Sequence, residues 1–188
     1  MSSIPRHKVF VSYHHQNDQG YRNRFERLFS DVYDIMDSRS VRIGSIPDGL
    51  RIDEISRLIR DDYLSDSTVT VVLIGTDTWR RKHIDWEVAA TVRDTTANRR
   101  SGLVGIFLPT HPSYGDDDYD PYTIPPRLHY NVECGFADLY DWSESATDVA
   151  AWIHGAYSKR RTVNPDNGSV RFRKNWGGPR WYPQRRGG

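Results

Sequence analysis

Apolar residues in this chain follow two periods. Continuous runs at Val9-Phe10-Val11, Val69 to Ile74 (broken only by Thr70) and Leu103 to Leu108 read as strands covered on both faces of a parallel sheet. Between them, apolar positions recur every three or four residues. Tyr21, Phe25, Leu28, Phe29 and Val32 mark one amphipathic helix, and Ile52, Ile55, Ile59 and Tyr63 a second. Ile84, Val88 and Val92 mark a third, and Val149, Ile153 and Tyr157 the last. The predicted strands are Lys8 to Tyr13, Tyr33 to Met36, Thr68 to Ile74, Leu103 to Leu108 and Phe136 to Asp141. The second helix is expected over Leu50 to Tyr63 with Asp48 as its N-cap. The third follows a turn at Gly75-Thr76-Asp77 and carries Trp79, His83, Trp86 and Glu87. The last spans Glu144 to about Lys159.

The resulting order is β-α-β-α-β-α-β-loop-β-α. Right-handed crossovers convert it into an α/β fold: a flavodoxin-like, five-stranded parallel sheet of order 2-1-3-4-5 with helices on both faces. Residues 1–161 form this domain. Residues 162–188, rich in Gly, Asn, Pro and Arg and without periodicity, are expected to be an irregular, basic, aromatic tail. Two loops stand out. Asp37 to Gly49 is long for a strand-to-helix connection, a length that in α/β domains accompanies function. Ser113 to Pro126 carries Asp116, Asp117, Asp118 and Asp120 and reads as a solvated acidic loop.

Composition narrows the classes. A length of 188 residues with 37% hydrophobic content suits one compact domain. Cys134 is the single cysteine, so neither an intrachain disulfide nor a thiolate metal site is expected. Together with the missing apolar leader after Met1, this points to a reducing, cytoplasmic setting. No run approaches the roughly 20 apolar residues of a membrane span. The net charge of +1 hides an asymmetry: from Lys159 onward nine Lys/Arg face one acid, Asp166, leaving Met1 to Ser158 at −7. The tail is therefore expected to fold back on its own acidic domain, in preference to binding nucleic acid.

Several motifs are absent. No G-x-x-x-x-G-K-[ST] loop, no G-x-G-x-x-G after the first strand, no G-x-S-x-G elbow and no paired acids at the end of strand one occur. What remains is a site defined by strand ends. Tyr13 and His14 close strand one, Gly75 to Trp79 follow strand three, and Glu87, three residues from Ile84, sits at the margin of an apolar stripe near the carboxyl edge of the sheet. Aromatic faces (Tyr13, Trp79), His14 and His83, helix N-termini and one ionised carboxylate suit a nucleotide. No metal site is expected, because the histidines lack a ligand spacing.

Val9-Phe10-Val11-Ser12-Tyr13-His14, the run Thr68 to Gly75 and the stretch from Trp79 through Trp86-Glu87 resemble TIR domains. With Pro125-Pro126-Arg127-Leu128, Asn131 and Tyr140-Asp141-Trp142, the chain from about Lys8 to Trp142 is similar to the bacterial TIR-like branch that supplies the signal-producing subunit of Thoeris anti-phage systems. That resemblance implies a cytoplasmic enzyme with NAD as substrate and no cofactor. It cleaves the nicotinamide–ribose bond and makes an ADP-ribose-derived, cyclic signal. Glu87 matches the catalytic glutamate on the third helix. The nucleotide-binding positions implied around it are Tyr13, His14, Gly75, Trp79 and His83. Where many TIR domains carry an aromatic residue one turn before the glutamate, this chain has His83. The resemblance further implies an effector protein reached through the diffusible nucleotide, a phage-protein trigger, and self-association through the 37–49 loop.

Two other readings compete. Many TIR-like domains are non-catalytic interaction or nucleotide-binding modules, and deoxyribosyltransferases cleave N-glycosidic bonds with a carboxylate on a similar sheet. For Glu87 itself, the alternative is an exposed helix carboxylate paired with Arg80 or His83.

Overall fold

A computed structural model describes residues 4–39 and 49–182. Five strands form one parallel sheet of order β2-β1-β3-β4-β5: β1 (His7–Ser12), β2 (Met36–Ser38), β3 (Val69–Ile74), β4 (Gly102–Phe107) and β5 (Ala137–Asp141). The expected 2-1-3-4-5 order is observed. Registry is regular, with Val9 beside Val69, Val69 beside Gly102 and Leu103 beside Ala137. β3 and β4 are buried at every residue, as strands flanked on both sides and covered on both faces must be.

The helices are α1 (His15–Glu26), α2 (Ile52–Leu58), α3 (Lys82–Thr91), α4 (Pro126–Glu133) and α5 (Ala146–Thr162). One face of the sheet packs Val9, Val11, Val71, Val104 and Ile106 against Phe25 and Phe29 near α1 and Val149 and Ile153 of α5. The other packs Val72, Ile74, Leu103 and Phe107 against Ile84 and Val88 of α3 and Leu128 of α4, with Val92 at the C-terminal end of α3. Phe10 turns to the same side, where it meets Ile55, Ile59, Leu64 and Trp86. Close approach of α5 explains Gly102: a Cβ there would lie 2.1 Å from the Ala156 carbonyl oxygen.

Three expectations are corrected. α1 runs on into a π-helical turn, Arg27–Val32, closed by Tyr33 N donating to Leu28 O. Wider i→i+5 turns break the three-and-four phase. Val32, expected inward, is therefore 63% exposed. Chain reversal through Asp34, at φ 54°, then delays β2 to Met36–Ser38 instead of Tyr33 to Met36. Thirdly, a helix absent from the expected order, α4, lies between the acidic loop and β5. Pro126 sits in its first turn, where a missing N–H costs nothing. The proposed N-cap Asp48 and most of the 37–49 loop lie outside the described residues. In the described part, Glu54 Oε2 accepts from Arg51 N at the start of α2.

The tail lies along α3 and α4 without regular secondary structure. Trp86 Nε1 donates to Phe172 O at 2.8 Å, Asn175 Oδ1 accepts from Lys82 N at 2.9 Å, and buried Trp181 donates to Ile124 O. Its basic residues meet acids of the domain, Arg171 with Asp53 and Arg180 with Asp120. The joint is held by a buried ion pair. Arg127 Nε lies 3.1 Å from Asp85 Oδ1, both side chains fully enclosed, while Phe172 N donates to Asp85 Oδ2 and Arg127 reaches Asn167 and Ser169 O. Asp85→Ala leaves that guanidinium buried without its carboxylate, and a loss of roughly 3–5 kcal/mol is expected. A urea unfolding midpoint within error of the wild type would contradict it.

Candidate active site

Two-residue alternation along β1 turns Phe10 and Ser12 toward α2 and α3, while Val9 and Val11 face α1 and α5. Ser12, the last residue of the strand, thereby meets Glu87 on α3. Its Oγ donates a short hydrogen bond to Glu87 Oε2. Glu87 is 1% exposed, and no cation pairs with it among the described residues. Burial raises its pKa from 4.5 to about 8, and the Ser12 bond offsets only part of that. The carboxyl expected to be ionised is therefore neutral at pH 7. It is not the exposed helix carboxylate of the alternative reading either: Arg80 pairs with Asp77.

Three rings cluster beyond the end of β1. Tyr13 stacks on His15 at 4.6 Å, and His15 meets His83 edge-on at 5.2 Å. Tyr13 is oriented by its hydroxyl, which donates to Gln19 Oε1 at 2.8 Å. His83 stands one turn before Glu87. Desolvation, with Coulomb repulsion from His15 and Arg81, lowers its pKa to about 4, so the ring is neutral. Its Nε2 is buried without a hydrogen-bond partner.

The remaining sequence-predicted positions each have a contact of their own in the fold. His14 caps α1, its Nδ1 accepting from Asn17 N at 3.1 Å. Gly75 follows β3 where a Cβ would stand 2.4 Å from Asp18 Oδ2, so only glycine admits that buried carboxylate. Asp18, which sequence reasoning passed over, has its pKa raised by burial to about 6. Trp79 belongs to a separate 3₁₀ turn, Thr78–Arg80, not to α3; extended Arg81 interrupts the two. It is buried, with the Arg80 guanidinium 4.6 Å above its ring, apart from the Tyr13–His15–His83 rings. Ser12 was also missed, although its alternation with Phe10 was readable in the sequence. Among the described residues no cluster of three His, Cys, Asp or Glu could hold a metal ion.

A cavity of about 100 Å³ lies across α3 from Glu87, between α4 and the tail, lined by Asp85, Tyr130, Phe172, Trp176 and Trp181.

A parallel 2-1-3-4-5 sheet with a buried glutamate of the third helix against the end of the first strand is a TIR-type fold. The family model described as "Thoeris protein ThsB, TIR-like domain" matches residues 10–113, more than half of the chain, and the chain belongs to that family. Membership gives it a TIR-type role in anti-phage defence and implies an effector partner. Among curated proteins none matches it significantly. No helix of the described residues is long and apolar enough to cross a membrane.

The charge state of Glu87 has a pH signature. The folded protein keeps the proton up to about pH 8, whereas the unfolded chain releases it near 4.5. The stability contributed by the neutral acid is thus complete below pH 4.5 and is lost as pH rises through about 8, a span worth on the order of a few kcal/mol. Glu87→Gln removes the loss. Its melting temperature is expected to match the wild type near pH 5 and to exceed it by several degrees at pH 9. A difference between the two proteins that does not vary with pH would show that Glu87 is not a buried neutral acid.

Proposed function

We propose that this protein cleaves NAD⁺ at the nicotinamide–ribose bond and releases an ADP-ribose-derived, cyclic nucleotide as a defence signal. The observation that carries this reading is Glu87: a desolvated carboxyl at the sheet's carboxyl edge, bonded to one hydroxyl and paired with no cation among the described residues. Such a group is held in readiness for charge that arrives with a ligand. The nicotinamide ring of NAD⁺ is cationic, and its approach favours the ionised form of a carboxyl whose pKa is raised only by burial. The proton leaves to solvent, and the carboxylate accepts hydrogen bonds from the ribose hydroxyls.

Bond cleavage then follows the charge. The glycosidic electron pair stays on the nicotinamide nitrogen, which leaves neutral, and positive charge passes to the ribose C1′ and ring oxygen. A carboxylate in a low-dielectric site stabilises that oxocarbenium-like state more than the ground state. Attack on C1′ by an adenine ring nitrogen of the same molecule closes a cyclic ADP-ribose isomer; attack by water gives ADP-ribose and a proton. His15, backed by Tyr13, and His83 offer ring faces for the bases.

The complete enclosure of Glu87 and its Ser12 bond favour one competing reading, in which the acid is only a buried packing element of an interaction module. Glu87→Gln preserves shape and hydrogen-bonding capacity but cannot ionise. If the enzymatic reading holds, it lowers nicotinamide release by at least about a hundredfold, measured by mass spectrometry of NAD⁺ reactions with and without phage-infected extract. Wild-type turnover retained by Glu87→Gln would leave the carboxylate without a chemical role.

A further inference from the structure

Resting on that reading, the structure points to Arg81 as the residue that receives the diphosphate of a dinucleotide, a binding role we infer from its unneutralised charge beside the three rings. Arg81 is the extended residue (φ −90°, ψ 121°) joining the 3₁₀ turn to α3, two positions before His83 and six before Glu87. Its backbone is tied down on both sides: Arg81 N donates to Thr78 O, and Arg81 O accepts from Asp85 N. The guanidinium therefore springs from a fixed point.

Neighbouring arginines are neutralised and Arg81 is not. Arg22, over the Tyr13 ring at 5.8 Å, is held 3.0 Å from Glu26; Arg80 lies 2.9 Å from Asp77. Arg22 meets its carboxylate through a terminal guanidinium nitrogen and Arg80 through Nε. Arg81 Nε is buried without a hydrogen-bond partner, and among the described residues its guanidinium has no ion pair. It lies close enough to His14, His15 and His83 for its charge to disfavour a proton on each of them. Around these rings Arg81 is joined by three neutral imidazoles and a neutral Glu87. Asp77, the acid nearest His14, is engaged by Arg80, and among the described residues no acid pairs with Arg81.

A half-buried guanidinium without an acid is costly to hold, and phosphate oxygens are what its planar fork matches. Geometry sets the order of the ligand. The reacting ribose lies against Glu87, the diphosphate lies one to two turns toward the start of α3 at Arg81, and His83, with its unpartnered Nε2, stands between them to meet a sugar hydroxyl.

Binding of ADP-ribose and of adenosine to the full chain, measured by calorimetry at two salt concentrations, tests the assignment without requiring turnover. For Arg81→Gln the expected result is a loss of about tenfold or more in ADP-ribose affinity, weaker salt dependence, unchanged adenosine affinity and an unchanged melting temperature. Arg81→Lys, which keeps the charge but not the fork, recovers part of the loss. ADP-ribose affinity unaltered by Arg81→Gln, or equal losses for both ligands, overturns the role of Arg81 while leaving the NAD⁺ reading standing. Wild-type protein that binds no ADP-ribose overturns that reading and this inference together.

Discussion

Helix α3 has no solvent face. Every residue from Ile84 to Thr91 is buried, so a short helix that would ordinarily show water a polar side is covered all round. Its apolar residues meet the sheet, Trp86 meets α2, and the outer side is closed by α4 and the tail. Complete burial forces the polar side chains of α3 to find partners inside the protein. Asp85 has Arg127 and the Phe172 amide, and Thr91 Oγ1 lies 2.8 Å from both Thr70 Oγ1 and the Glu87 carbonyl. Among the described residues, Glu87 has only Ser12.

Those two acids, two residues apart on one helix, have opposite physics. Asp85 is given a cation and an amide, and a carboxylate so matched serves as a strut: its charge is what holds α3, α4 and the tail together. Glu87 is given one hydroxyl and no cation, so burial is unopposed and the proton stays on. A group of the second kind responds to any positive charge brought near. The same enclosure that makes the domain rigid around α3 thus creates the chemical asymmetry on which the proposed reaction depends.

The basic tail gains its meaning here. Its arginines reach acids on the domain surface, but those exposed pairs contribute little each. The larger effect is its cover over α3: backbone groups at Phe172 and Trp176 and the Asn175 side chain satisfy Asp85, Trp86, Lys82 and the Arg80 carbonyl. Asn175 also occupies the first amide of α3, so the start of that helix is already capped by protein and the positive character near the site rests with Arg81.

Sheet order, the central strands and the inward faces of α3 and α5 were legible in the sequence, because continuous burial and three-and-four spacing are local patterns that a parallel sheet imposes directly. Glu87 was legible as a position, at the edge of the Ile84–Val88 stripe. Its state was not: whether a carboxyl is charged depends on what surrounds it, and neither the hydroxyl of Ser12, seventy-five residues away, nor the cover supplied by the tail is visible in a local pattern. The same holds for the capping role of His14, for Trp79, displaced from α3 by an extended arginine, and for Val32, rotated outward by a π turn. Periodicity determines which faces are apolar; only three-dimensional proximity decides which polar groups are satisfied, and the unsatisfied ones are where the chemistry lies.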